Sequence, residues 1–377
     1  MRSSVLRSAT ALATAAGFAL AGLALGAGSA SAATGAPVFV QSDALGGNTV
    51  VAYTHDRDGA LHQAGVYPTG GLGGALQGSV VDHLASQGSL AYDARHQLLY
   101  AVNAGSDTVT VFAVHGSRLE RTQVLASGGS FPVSVAVRGD QVYVLDAQNG
   151  GAVQGFQRVG ERLRPVAGWQ RSLGLDPAAA PRFTHTPGQL AVTPDGRDLV
   201  VTTKAGGQSI DVFPLAPGGA PAAAPVVNAE PGTVPFGFVF DSRGRLLVTE
   251  VGTNSVATFT VGRDGTVTAV GTPVATGQAA TCWLAAAGDR VYASNAGSGS
   301  LSGFRADGHG KLTALGDTMT DPGTVDAAVS GDGHYLYAQT GGQGVVDEFR
   351  VRADGSLTRV GSVTVPDGMG GEGIVAL

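Results

Sequence analysis

An all-β, seven-bladed β-propeller is the fold this chain predicts, and three observations predict it. The first is an apolar run closed by a polar residue, recurring seven times: Val38–Ser42, Leu98–Asn103, Gln141–Asp146, Asp198–Thr203, Arg245–Glu250, Arg290–Asn295 and Tyr335–Thr340. The second is an aromatic nine to eleven residues after each run: Tyr53, Phe112, Phe156, Phe213, Phe259, Phe304 and Phe349. A period of about 45 residues with several short strands per unit is the mark of a propeller. The third is that the first unit lacks its opening strand, while an extra one, Gly373-Ile-Val-Ala-Leu377, stands at the C-terminus.

Each unit divides into four antiparallel strands, A to D from the axis outwards. The A strands are short and small-residue rich, as at Ser89–Asp93, Ser134–Arg138, Gln189–Thr193, Gly237–Asp241, Trp283–Ala287 and Asp326–Ser330. The B strands are the apolar runs, and the C strands carry the aromatics. Turn chemistry separates the strands: Asp195-Gly196 and Asp332-Gly333 between A and B, and Asp58-Gly59, Asp264-Gly265, Asp307-Gly308 and Asp354-Gly355 between C and D. Such pairs suit tight hairpins because Gly accepts positive φ. The D strands alternate apolar and polar residues, as in Ser356–Val363, which fits an outer strand with one wet face. Blade 1 then takes B, C and D from residues 37–67 and its A strand from 373–377. That closes the ring by pairing the two chain ends.

Spacings between successive aromatics are 59, 44, 57, 46, 45 and 45 residues. The two long ones mark insertions at 68–88 and 170–188, each between a D strand and the next A strand. Both fall on the face that carries the B-to-C connections, where they read either as rims or lids over a ligand or as surface insertions.

Residues 1–32 read as a cleaved secretory signal. Arg2 and Arg7 precede an uncharged apolar stretch from Ala9 to Ala27, and Ala30-Ser31-Ala32 supplies the small-residue cleavage pattern. The alternative, a single membrane anchor, fits the Ala- and Gly-rich composition less well, and without a twin-arginine pair the general secretion route is the simpler reading. The mature domain is then 33–377, secreted and without stable membrane insertion.

The full chain carries 23 basic and 29 acidic residues, and loss of the two leader arginines moves the net charge from −6 to −8. Only Lys204 and Lys311 are lysines, so the clustered cationic surface that nucleic acid requires is not expected. Cys282 is the only cysteine, so no internal disulfide forms, and its apolar surroundings suggest a buried structural role. A monomer is expected.

On the connection-rich face, each B strand ends in one polar residue: Ser42, Asn103, Asp146, Thr203, Glu250, Asn295 or Thr340, with Lys204 one step beyond Thr203. Asn, Ser and Thr at such positions commonly cap turns. Glu250 and Lys204 suit capping less well and lie on adjacent blades, so they are the candidate catalytic pair. Glu250, beside Phe236, would do acid–base work, and Lys204 would hold an oxyanion or a carboxylate. Further ligand-face candidates are Asn103, Asp146, Gln189, Phe236, Trp283, Asn295 and His185. No zinc-like spacing, calcium loop, nucleophile elbow, Walker loop or dinucleotide fingerprint is present, so neither metal nor cofactor is expected.

Pro194-Asp-Gly-Arg-Asp-Leu-Val-Val-Thr202 and Arg290-Val-Tyr-Ala-Ser-Asn-Ala-Gly-Ser-Gly-Ser300 resemble the repeats of the lactonase family of seven-bladed propellers. That family includes 6-phosphogluconolactonases and carboxymuconate-lactonizing enzymes. Pro235–Asp241, Leu246–Glu250 and Ala280–Trp283 look like a secreted bacterial subgroup of it. The resemblance covers about 37–377 and implies an enzyme that opens or closes a small lactone of the sugar-acid or muconate type. Where lactone-processing members carry Pro-Arg-His at an A-strand start and Asn-Glu at the next B-strand end, this chain reads Thr186-Pro-Gly-Gln189 and Thr203-Lys204, and a neighbouring Pro-His pattern reads Pro132-Val133. The other function consistent with the residues is a non-catalytic propeller binding a small metabolite, carbohydrate or protein on the same face.

Overall fold

The computed structural model describes residues 35–377. The expected leader and its cleavage point lie outside the described residues. Seven antiparallel sheets follow one another, each ordered A to D in space, and in all but blade 1 the chain runs through them in that order. Blade 2 is typical, with strands Leu90–Asp93, Leu98–Asn103, Thr108–His115 and Arg118–Ala126. In blade 5 the outermost strand is broken into Val267–Ala269 and Val274–Ala275, both paired to Ser255–Val261.

The ring closes as its repeat demands. Ile374–Ala376 is the A strand of blade 1 and pairs with Pro37–Gln41, in the register Val38↔Ala376, Phe39↔Val375 and Val40↔Ile374. Hydrogen bonds from Gln41 N to Gly373 O (2.8 Å) and from Leu377 N to Pro37 O (3.0 Å) extend the seam at both ends. Pro37–Gln41 is thereby paired on both sides, with Ile374–Ala376 and with Thr49–His55.

All seven C-strand aromatics are buried between blades. Each fully buried ring of this kind stabilises by about 1.5–3 kcal/mol. B-strand tyrosines add a directional link from one blade to the next. Tyr143, Tyr292 and Tyr337 donate to the carbonyls of Gly219, Gly355 and Gly59, which sit in the C-to-D turns of the following blades. Those glycines have φ of +96°, +92° and +93°, a backbone that only Gly adopts freely, so the turn chemistry also presents the acceptor.

The turn aspartates behave as the hairpin reading requires. Asp56, Asp264, Asp307 and Asp354 accept backbone N–H bonds inside their own turns, which holds their carboxyls below the usual range. Among the described residues no helix is long and apolar enough to cross a membrane.

Candidate functional site

The first insertion is neither rim nor detached lid. It runs inward from Thr69 and crosses the axis at Leu84–Ser89, where all but Gln87 and Gly88 are buried below 5%. Four other blades hold it there. Ser86 Oγ donates to Val133 O of blade 3 (2.9 Å), and Gln87 N to Gly188 O at the edge of blade 4 (3.0 Å). Trp283 Nε1 of blade 6 donates to Ser86 O (2.5 Å). The Gln87 amide pairs with both backbone groups of Leu284, donating to its carbonyl (2.7 Å) and accepting from its N–H (3.1 Å). The Glu372 carboxyl, beside the closing strand, accepts from the Ser86 N–H and also hydrogen-bonds the Ser86 hydroxyl. The axis of the ring is therefore plugged by the chain's own loop.

Beside this plug lies a cavity of about 170 Å³. Its walls are Val80, Val81, Phe183, Val234, Phe236, Val251, Ala280, Trp283 and Ala296, and its polar groups are few: Ser79, Asp82, Thr184, Lys204 and the Cys282 thiol. Both insertions and blades 4, 5 and 6 contribute. Phe236 and Trp283 meet edge to face at 5.1 Å between centroids, and the Trp283 bond to Ser86 fixes that corner. Ala85, Lys204, Val234 and Ala280 on the lining all have positive φ, between 48° and 54°. For a β-branched residue such as Val234 this is a genuine outlier, and such strain gathers at functional sites.

Lys204 is almost wholly buried, and all its ammonium hydrogens are committed. Nζ donates to Ala85 O (2.6 Å), Phe183 O (2.6 Å) and Thr186 Oγ1 (3.0 Å), and lies 5.2 Å from the Phe236 ring centre. It ties the first insertion to the second. Burial pulls its pKa down to about 8, with Asp82 and Glu372 acting against that fall.

A group of buried acids continues from the cavity towards the axis. Asp82 Oδ1 accepts the N–H bonds of Leu84 (3.0 Å) and Ala85 (2.9 Å), and its carboxyl hydrogen-bonds that of Glu372. Burial raises both, while their shared bond lowers Asp82 and raises Glu372 further. Both carboxyls are therefore held above the ordinary carboxylate range, and the two titrate as a pair. Asp43, which accepts from Glu372 N (2.8 Å), is pushed by burial up to about 7, and so is Asp326. Burial also pushes the Cys282 thiol up, which leaves it a poor nucleophile. Among the described residues no group of three or more His, Cys, Asp or Glu side chains is spaced to hold a metal ion.

Of the residues singled out from the sequence, Lys204, Phe236 and Trp283 meet at this cavity. Glu250 does not join them. It lines a separate groove of about 460 Å³ on blade 5 with Glu230, where Ser255 Oγ donates to its Oε2 (2.7 Å). The expected Lys204–Glu250 convergence is absent because Lys204 turns inward to the two insertions while Glu250 faces the hydroxyl of its own C strand.

The other B-strand ends follow the same structural pattern. Asn103 donates to Thr108 and Thr110, and Asn295 donates to Ser300 and Ser302 and accepts from Thr281. Each ties its B strand to the start of the next strand, as capping predicts. Asp146 is the exception. Blade 3 offers Gly151 and Val153 at the corresponding places, so this buried carboxyl has no well-formed hydrogen bond and burial pushes it up to about 7. Gln189 accepts from Phe238 N (2.6 Å), and His185 turns back to Pro181 O (3.0 Å), so neither reaches the cavity. Asp82, Glu372, Phe183 and Cys282 were not among the sequence candidates. A wider groove of about 660 Å³ on the opposite face is lined by turn residues such as Gly331–His334 and contains none of the buried acids.

The profile of the family described as lactonase, seven-bladed β-propeller, matches residues 249–373. No curated protein matches the chain in sequence. Among solved structures, a proposed 6-phosphogluconolactonase from Bacteroides uniformis superposes with TM-score 0.72 at 17% identity, covering 90% of this chain and 98% of that one. The periplasmic gluconolactonase of Pseudomonas aeruginosa gives 0.69 at 17% identity, with the same coverage. A protein from Lactobacillus plantarum gives 0.70 at 18% identity, covering 89% and 98%. At such identities the likeness carries the fold. With seven blades closed by the C-terminal strand and a matched profile over 249–373, the chain resembles the lactonase family of seven-bladed β-propellers.

Proposed function

We propose that this protein hydrolyses the ring ester of a small lactone bound in the cavity between the two insertions. The observation that carries the reading is the Asp82–Glu372 pair. Two buried carboxyls share a hydrogen bond, with Asp82 in the wall of an apolar cavity and Glu372 behind it, outside the lining. Asp82 in such a pair supplies both halves of acid–base catalysis. Asp82 takes a proton from water as its oxygen attacks the ring carbonyl. The ring C–O bond breaks, and the leaving oxygen takes the proton that Asp82, the carboxyl in the cavity wall, has just accepted. Glu372 stays hydrogen-bonded behind Asp82 throughout as a positioning residue, and the product is the open hydroxy acid. Lys204 contributes its charge through space, because its N–H groups are already spent.

A panel of γ- and δ-lactones assayed with wild type, Asp82→Asn and Glu372→Gln tests this. Both variants should lose about 100-fold or more in kcat/KM. Glu250→Gln should match wild type. Unchanged rates in Asp82→Asn would refute the role of the pair.

A second reading, ligand binding without turnover, is favoured by the saturation of Lys204, which leaves no ammonium hydrogen for an oxyanion. Its signature is saturable lactone binding with no ring opening. We further propose that the protein is secreted as a monomer after cleavage near Ala32, from the charge and apolar pattern of residues 1–32. N-terminal sequencing of protein from the culture medium should begin near Ala33, and an intact Met1 would contradict it.

A further inference from the structure

We infer that the cavity selects a neutral lactone fused to, or carrying, an apolar ring or short alkyl group, and excludes phosphorylated and polyhydroxylated sugar lactones. The inference rests on the reading of this cavity as the lactone site, and it concerns the class of lactone. Three observations carry it.

First, no cation is available among the described residues. There, neither Arg nor His lines the cavity, and Lys204, the one basic group on it, donates to three internal acceptors. A phosphate or carboxylate placed here would be desolvated without a partner and would face Asp82. Second, the walls are aliphatic and aromatic on every side contributed by the insertions and by blades 4, 5 and 6. A sugar ring would bury several hydroxyls against Val81, Val234, Val251, Ala280 and Ala296, where nothing can hydrogen-bond them. Third, the space is small and angular. About 170 Å³ is close to the roughly 150 Å³ of an apolar cavity that takes one benzene, so it admits a small ring system and no long chain. The fixed edge-to-face corner of Phe236 and Trp283 offers two apolar faces to a flat ring. The half-buried Val81 and the outward-pointing Val80, 85% exposed, stand at the mouth. An apolar ligand would cover the latter and gain from its burial.

The test separates ligand class from catalysis by using a non-hydrolysable probe. Dihydroquinolinone, the lactam counterpart of the aryl lactone dihydrocoumarin, is titrated into Trp169→Phe protein, in which Trp283 is the remaining tryptophan, and Trp283 fluorescence is followed. Glucono-δ-lactone and its 6-phosphate are titrated in parallel. The expected result is saturable quenching by the lactam, with affinity at least about tenfold above either sugar lactone. Val81→Asp should weaken the lactam by about tenfold or more while the melting temperature and circular dichroism stay near those of the parent. If either sugar lactone binds more tightly than the lactam, the inference is overturned, whether or not a lactone is hydrolysed. If the lactam binds as expected and dihydrocoumarin is not opened, the ligand class stands and the hydrolase reading falls.

Discussion

Lys204 shows how far residue type alone can mislead. A lone lysine on the ligand face suggests an anion hook, yet its ammonium is a three-way tie between Ala85, Phe183 and Thr186. Replacing it by Met leaves three buried acceptors without a donor and removes the cation that offsets Asp82 and Glu372. Breaking a buried charged contact in this way costs about 3–5 kcal/mol. Denaturant unfolding of Lys204→Met should show a loss of that order, and a change below about 1 kcal/mol would mean that the tie is not structural. Lys204, Phe236 and Trp283 were legible in the sequence because they sit at fixed places in the repeat. Asp82 and Glu372 were not, because they lie in the insertion and in the segment before the closing strand, where no period predicts a neighbour. Only the closed ring brings positions 82 and 372 together.

At the scale of elements, the plug sits among buried acids whose carboxyls burial holds above the ordinary range. Asp43 and Asp326, at about 7, and Glu372, well above the ordinary value, all have folded-state pKa values above their unfolded ones. Their contribution is complete below the unfolded value of about 4 and is lost as pH rises through about 7, where the unfolded chain has already released protons that the folded chain retains. The turn aspartates act in the opposite sense. Their carboxyls are lowered, so their stabilisation is present above about pH 4 and disappears below it. Lys204, lowered to about 8, changes the slope only above that value. The melting temperature should therefore peak on the acid side of neutrality and fall between about pH 5 and pH 8, and Glu372→Gln should flatten part of that fall. A melting temperature that rises across the same interval would show that the plug acids are ionised in the folded protein. The insertions were visible in the sequence as two long spacings, but their inward course was not. The cues that direct it, such as the Gln87 amide pairing with Leu284, are long-range.

For the whole molecule, the repeat specified the ring almost completely. Seven apolar runs became seven B strands, the aromatics filled the spaces between blades, and Gly373–Leu377 supplied the missing inner strand. Local period, turn chemistry and burial all agree in these segments, which is why the architecture could be read from one chain. The join depends on a three-residue ladder and its flanking bonds. Deleting residues 374–377 should expose the inner edge of Pro37–Gln41, broaden the unfolding transition and promote association, as followed by calorimetry and light scattering. A sharp transition at the parental temperature would show that the remaining blades hold without the seam.

The central claim is that the cavity beside the plug is where a small apolar lactone meets the Asp82–Glu372 pair. A crystal structure of the protein with dihydroquinolinone tests it most directly. The account predicts the lactam ring against Phe236 and Trp283, with its carbonyl carbon within reach of the Asp82 carboxyl. A ring found instead in the Glu230–Glu250 groove of blade 5, or an empty cavity at saturating lactam, would contradict it.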